Sequence, residues 1–377
     1  ERLGKDVAGD PNALATVLPD LLKGGSRVWL FGKGLGVAGD DPLTLWASLT
    51  KAFAASTQPQ ALVIAGFING VHERDPALAA RFLDDALEHP SLGTQFVELQ
   101  ASVPIDETGL KRLHRALELG HAHITQFYRL AYGRVSDVVP SASLRELLLA
   151  IAGKPEGNPV AIEILSFRIL RDDIAKKSHA PEDLQAGREL LATFQFHKHD
   201  GRTSREDHEL AGIAACSLQG EEGIPIVRHL ARTIVAAIVN HEISVGDPDD
   251  LLTALMRVHP TVVLDEVFSD DDVANARIAH MFSRLLRFDK SPLDVVPDET
   301  LLAWCDHDPG RRYELMAASA MLFKRPSEKE PHQWTSLTAK LLAKAPDRRA
   351  VFTGIVDRLR PMRSEERRVG KECRSRW

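Results

Sequence analysis

The sequence predicts an all-α protein: an α-solenoid-like array of antiparallel helix pairs with few or no strands. Three observations predict it. Aromatic residues make up only 6% of a chain that is 44% hydrophobic, and that aliphatic bias suits helix-on-helix packing better than a β-sandwich. Apolar residues recur with helical spacing along most of the 377 residues. The same helix-opening dipeptide, Asp-Pro, recurs at Asp10-Pro11, Asp41-Pro42, Asp75-Pro76, Asp247-Pro248 and Asp308-Pro309. An aspartate at the N-cap accepts a hydrogen bond from a free backbone N–H, and a proline at the first helical position loses nothing by lacking one.

The elements follow in chain order. RVWLF (Arg27 to Phe31) and ALVIAGF (Ala61 to Phe67) are the best strand candidates, and each reads equally well as helix. After Pro42, Leu45, Leu49 and Phe53 share one face; after Pro76, Leu78, Phe82 and Ala86 do so, with Leu83 and Leu87 beside them. Asp106 opens a helix with Leu110, Leu113 and Leu117 facing inward, and SASLRELLLAI (Ser141 to Ile151) forms the next. Asn158-Pro159 opens VAIEILSFRIL, apolar nearly all round as in a buried layer. Beyond Gly223, Val227, Leu230, Ala231, Ile234, Val235 and Ile238 define another inward face, and further short amphipathic runs continue to the end, giving about eighteen helices of ordinary length. GDPDDLLTALMRVHPTVVLDEVF (Gly246 to Phe268) and VPDETLLAWCDHDPGRRYELMA (Val296 to Ala317) share a frame of acidic cap, leucine, bulky pair and proline, offset by roughly 50 residues as in repeat arrays. The expected organisation is an N-terminal part of the array over 1–157, a C-terminal part over 158–362 and a tail over 363–377.

Composition excludes several function classes. The chain is 27% charged and therefore globular rather than disordered. Its net charge of −6 disfavours broad contact with nucleic-acid phosphates. No apolar run approaches the ~20 residues needed to span a bilayer, so no membrane partner is expected. The three cysteines, Cys216, Cys305 and Cys373, fit a reducing cytoplasm, and Cys216 and Cys305 sit in apolar-periodic runs as core residues. Glu1 opens the chain without a signal- or transit-peptide pattern, as expected of a segment of a larger protein.

Two motifs could carry chemistry. Gly34, Gly36 and Gly39 form a G-x-G-x-x-G after the strand-like RVWLF, the pattern with which a dinucleotide fingerprint binds pyrophosphate. Against it, Asp40-Asp41-Pro42 follows at once and puts negative charge where an anion should sit. His197 and His199, in FQFHKHD, could be a metal pair completed by Asp200, Asp207 or His208; the preceding RELLATFQF reads better as a helix end. No cofactor and no metal are therefore expected. Trp29, Trp46, Trp304 and Trp334 are expected as packing anchors.

Two resemblances follow. The tail RSEERRVGKECRSRW (residues 363–377) carries six basic against three acidic side chains and would by charge alone be the best nucleic-acid candidate. It resembles the translation of a short-read sequencing adapter over its whole length, which implies a non-native, disordered tail without function. DPLTLWASLTKAFAA, VELQASVPIDETGLKRLHRALELG and VPDETLLAWCDHDPGRRYEL resemble the HEAT-like helical regions of large uncharacterised bacterial proteins. That resemblance implies a non-catalytic interaction, scaffold or sensor region with a protein or peptide partner. The enzymatic alternative is nucleotide-dependent chemistry at residues 34–39.

Overall fold

The computed structural model describes residues 1–196, 203–240, 242–243, 248–268, 275, 278–279, 282, 291–324 and 333–359. These residues are all-α apart from a two-residue antiparallel pairing of Phe323–Lys324 with Gln333–Trp334. The chain divides into two compact units, Glu1–Thr193 and Phe194–Trp377. The division falls later than the expected 157/158 boundary, because the helices on either side of that boundary pack on each other within the first unit. The 363–377 tail lies outside the described residues.

The first unit runs α1 (Arg2–Val7), α2 (Pro11–Leu21), α3 (Val28–Ala38), α4 (Pro42–Ala55), α5 (Leu62–Arg74), α6 (Pro76–Glu88), α7 (Phe96–Gln100), α8 (Glu107–Leu119), α9 (Ser141–Ala152), α10 (Gly157–Ile174) and α11 (Pro181–Ala192). Short 3-10 turns at Leu92–Gln95 and Ile124–Ala131 fill the joins. The Asp-Pro signals act as expected here: Asp10 accepts from the Asn12 and Ala13 amides, Asp41 from Thr44 and Asp75 from Leu78. Each such cap stabilises its helix by about 1 kcal/mol.

Both strand candidates are helical, and glycine explains why. In α3, Gly32 and Gly36 face α5, where Gly66 and Gly70 face back. A Cβ on Gly32 would lie 1.9 Å from the Val63 carbonyl oxygen, and one on Gly66 would lie 2.0 Å from that of Trp29. Gly36 meets Phe67 and Val71, and Gly70 meets Lys33. The partners advance together along both chains, so α3 and α5, two apart in the element order, run parallel, as alternate helices of an antiparallel array do. This is the small-xxx-small packing that brings two helix backbones into contact. On the opposite side of α3, Gly34 meets Glu1 while Gly4 of α1 meets Phe31 and Leu35. Glycines on two faces thus let α3 lie directly between α1 and α5. Arg74, at the end of α5, donates to the Gly39 and Gly36 carbonyls (2.7 and 3.3 Å) and closes the C-terminus of α3. Beside this layer Trp46, Phe82 and Phe67 stack, Trp46 and Phe82 at 4.7 Å between ring centres.

The second unit holds α12 (Thr203–Ser217), α13 (Ile224–Val239), α14 (Asp249–Val258), α15 (Pro260–Val267), α16 (Asp298–Asp306), α17 (Arg312–Ser319), α18 (Ser336–Lys344) and α19 (Arg348–Leu359). In both units the principal contacts join a helix to the next and the next-but-one: α9 with α11, α12 with α14, and α13, α15, α16 and α18 in succession. Side-chain hydrogen bonds between helices span from 7 residues for Tyr313–Asp306 to 44 for Arg145–Glu189. Contact restricted to neighbours along the chain is the hallmark of a quasi-one-dimensional array. The frame of roughly 50 residues does not match this packing. It equated α14 with α16, whereas α16 follows α15 in its row, and Pro309 lies in the turn before α17 rather than at its first residue.

Buried side chains lock the second unit with polar anchors. Trp304 donates its indole N–H to Asp265 (2.8 Å), and Arg312 stacks over the Trp304 ring at 4.4 Å while also reaching Asp265 (3.0 Å). Tyr313 donates to Asp306 at 2.6 Å. Cys305 is buried as expected, and burial pushes its thiol up to about 12, away from reactive thiolate chemistry.

Candidate functional site

α10 is the longest helix of the first unit, and its two halves have opposite surroundings. Glu156 enters in a left-handed conformation (φ 60°) and Gly157 follows, where a Cβ would lie 1.8 Å from the Ile151 carbonyl oxygen. That close approach turns the chain tightly from α9 into α10. The helix therefore begins at Gly157, one residue before the expected Asn158 cap; the Asn158 side chain instead donates to Leu190 and Thr193. Val160 to Leu165 are buried on every face, including Glu163, whose carboxylate accepts the Tyr132 hydroxyl proton.

Past Leu165 the helix emerges. Phe167, Leu170 and Ile174 fall on one face at i, i+3 and i+7. Leu170 is 45% and Ile174 73% exposed. The Tyr132 ring packs on Phe167 at 5.1 Å, and Tyr132 (39%) and Val138 (65%) are themselves exposed. The expectation of a helix buried all round thus holds for its first half only. The missed signal was charge: Arg168, Arg171, Asp172 and Asp173 arrive together just where the face opens.

Two arginines of α10 hold the 131–141 segment against this face. Arg168 donates to the carbonyls of Ser136 (3.1 Å), Asp137 (3.0 Å) and Val139 (3.4 Å) and approaches the buried Asp183 carboxylate of α11 at 3.5 Å. Ser141 donates to Asp183 at 3.0 Å. Burial raises the Asp183 carboxyl above the ordinary range, while Ser141 and Arg168 pull it back. Arg171 pairs with Asp137 and reaches the Ala131 carbonyl at 3.3 Å. Together they supply donors to carbonyls of a segment that forms no regular ladder. The result is an apolar stripe of Tyr132, Phe167, Leu170 and Ile174 with exposed Arg134, Lys176 and Lys177 at its edges and Asp172 and Asp173 behind.

The sequence-predicted site residues lie elsewhere. Gly34 and Gly36 are inside α3 and Gly39 is its C-cap. No strand precedes them, and the N-terminus of the following helix is occupied by the Asp41 carboxylate on Thr44. The strand–turn–helix frame of a dinucleotide fingerprint is not formed at these glycines; close helix packing accounts for them. His197 and His199 lie outside the described residues. Asp207, a candidate to complete their metal shell, instead caps α14 from outside: its carboxylate accepts from the Asp250 and Leu251 amides at 2.7 and 2.9 Å. His208 lies 3.3 Å from Asp250. Among the described residues, no group of three or more His, Cys, Asp or Glu could hold a metal ion, and no helix is long and apolar enough to cross a membrane. Of the tryptophans, Trp46 and Trp304 are buried anchors as expected, whereas Trp334 is 48% exposed and stacks on Phe323.

The chain matches no family model, no curated protein and no solved structure.

Proposed function

We propose that this chain is a non-catalytic interaction region, a scaffold or sensor built as a HEAT-like helical array, which binds a protein partner on the outer face of α10. The observation that carries this reading is the stripe of half-buried Phe167 and exposed Leu170 and Ile174 on a helix whose first half is core. A stable helix does not need large aliphatic side chains on its solvent face, and such a face rimmed by charge is the usual form of a docking site. The partner that fits is an amphipathic helix laying apolar residues along Leu170 and Ile174 and placing carboxylates near Arg134, Lys176 and Lys177. Neighbour-to-neighbour packing supports the array, because stacked helix pairs present their outer helices as an extended surface.

Site-specific photo-crosslinking tests this. A photoreactive side chain at Leu170, in cells that make the protein natively, is expected to trap one defined protein. The same probe at Ala150 on α9, or with Ile174→Asp added, is expected to trap it at least tenfold less. Equal trapping from all three would remove the α10 face as the docking site.

A further inference from the structure

The second unit carries a buried carboxylate that belongs to no ion pair in the described structure. Asp207 of α12 is only 6% exposed and reaches across to the first turn of α14, where its two oxygens take the Asp250 and Leu251 amide protons. Asp247, the N-cap expected from the Asp247-Pro248 signal, lies outside the described residues. In the structure Pro248 occupies the N-cap position without a side-chain hydrogen bond, and Asp207 satisfies these orphan amides from a different helix. Around it stand Asp249 and Asp250 on α14. On α12, Arg205 pairs with Glu209, Glu206 lies one residue before Asp207, and His208 contacts Asp250. On α13, Arg228 and Arg232 are engaged by Glu266 of α15. At the turn below α14, the Asp294 carboxylate accepts from the Ser291 amide. Three carboxylates therefore meet at one helix N-terminus, with the buried one held by backbone amides.

We propose that the α12–α14 joint is proton-linked: it is tightest with Asp207 protonated and loosens when that carboxylate ionises beside Asp249 and Asp250. Burial raises the Asp207 carboxyl most; the Leu251 and Asp250 amides lower it, the Asp250 and Asp249 charges raise it, and the outcome is about 7 against an ordinary 3.8. The folded value lies above the unfolded one. The contribution is thus fully present below the ordinary value of 3.8, is lost as pH rises towards about 7, and changes little beyond. Unit 2 would in this way carry a pH-responsive contact at the start of its array.

The test is amide hydrogen exchange on the full chain at pH 5 and pH 8, corrected for intrinsic base catalysis, with thermal melting alongside. In the wild type, protection at Asp250 and Leu251 is expected to fall by roughly tenfold more than in Asp207→Asn, which keeps one acceptor but cannot ionise. Asp249→Asn leaves Asp207 in place and removes a charge that raises its carboxyl, so it is expected to shift the loss of protection to lower pH. Equal pH dependence in the wild type and Asp207→Asn, or no shift in Asp249→Asn, would overturn the proposal. If Asp207→Asn fails to fold, the Asp249→Asn shift decides alone.

Discussion

Gly32→Val is expected to abolish cooperative folding of the first unit, and Gly32→Ala to cost about 3 kcal/mol. In an exposed helix interior the alanine change would instead gain ~1 kcal/mol, because glycine loses more backbone entropy on folding. The sign reverses at Gly32 because the added carbon meets the Val63 carbonyl oxygen at 1.9 Å, and a helix backbone cannot retreat as a flexible side chain can. The two helices must separate, which opens the interface along its length and exceeds the ~1–3 kcal/mol typical of overpacking in the valine case. Gly212 of α12 is the internal control. It is exposed and helical, with nothing within 4 Å of a built Cβ, so Gly212→Ala is expected to gain about 0.5–1 kcal/mol. Urea unfolding followed by circular dichroism measures both. If the two alanine substitutions shift the midpoint in the same direction, the interlocked α3–α5 packing is wrong.

Arg168→Met is expected to destabilise the first unit by about 3–5 kcal/mol, the cost of leaving a buried charge without its partner. Asp183 is nearly inaccessible, and the Arg168 guanidinium is the cation beside it. The same substitution strips three carbonyls of the 131–141 segment of their donor. The two effects separate by pH. Asp183 already lies above its ordinary value through burial, and loss of Arg168 raises it further. A carboxyl raised in the folded state contributes stability at low pH that is lost as pH rises. The variant's deficit in melting temperature is therefore expected to shrink as pH falls towards 5 and to grow towards pH 8. Adding Asp183→Asn should recover the charge-dependent part and leave the loss from the unpaired carbonyls. A deficit independent of pH would mean that Asp183 is not the buried charge Arg168 serves.

Much of this fold was legible because its signals are local. Of the four Asp-Pro pairs whose aspartate is described, three open helices with the aspartate in place. The apolar stripes of α4, α6, α8 and α13 are the buried faces observed, apart from Leu78 and Val235, which are only half-buried. What failed depended on a second element. The glycines of α3 form a dinucleotide-fingerprint pattern when read alone and a helix interlock only when matched with Gly4, Gly66 and Gly70. Asp207 looked like a spare metal ligand, since nothing within its own segment reveals that it caps a helix more than forty residues on. The α10 face was hidden for the converse reason. Its apolar count is that of a core helix, and only the absence of a covering neighbour makes Leu170 and Ile174 a surface.

The most direct test of the docking face is the melting temperature of the Leu170→Asp, Ile174→Asp double variant beside that of Ile164→Asp. Ile164 is fully buried on the same helix, and placing an unpaired charge there is expected to unfold the first unit. With Leu170 and Ile174 facing solvent, the double variant is expected to melt within about 2 °C of the wild type, as surface substitutions do. A loss comparable to that of Ile164→Asp would show that the α10 face is packed within the protein and is not free to receive a partner.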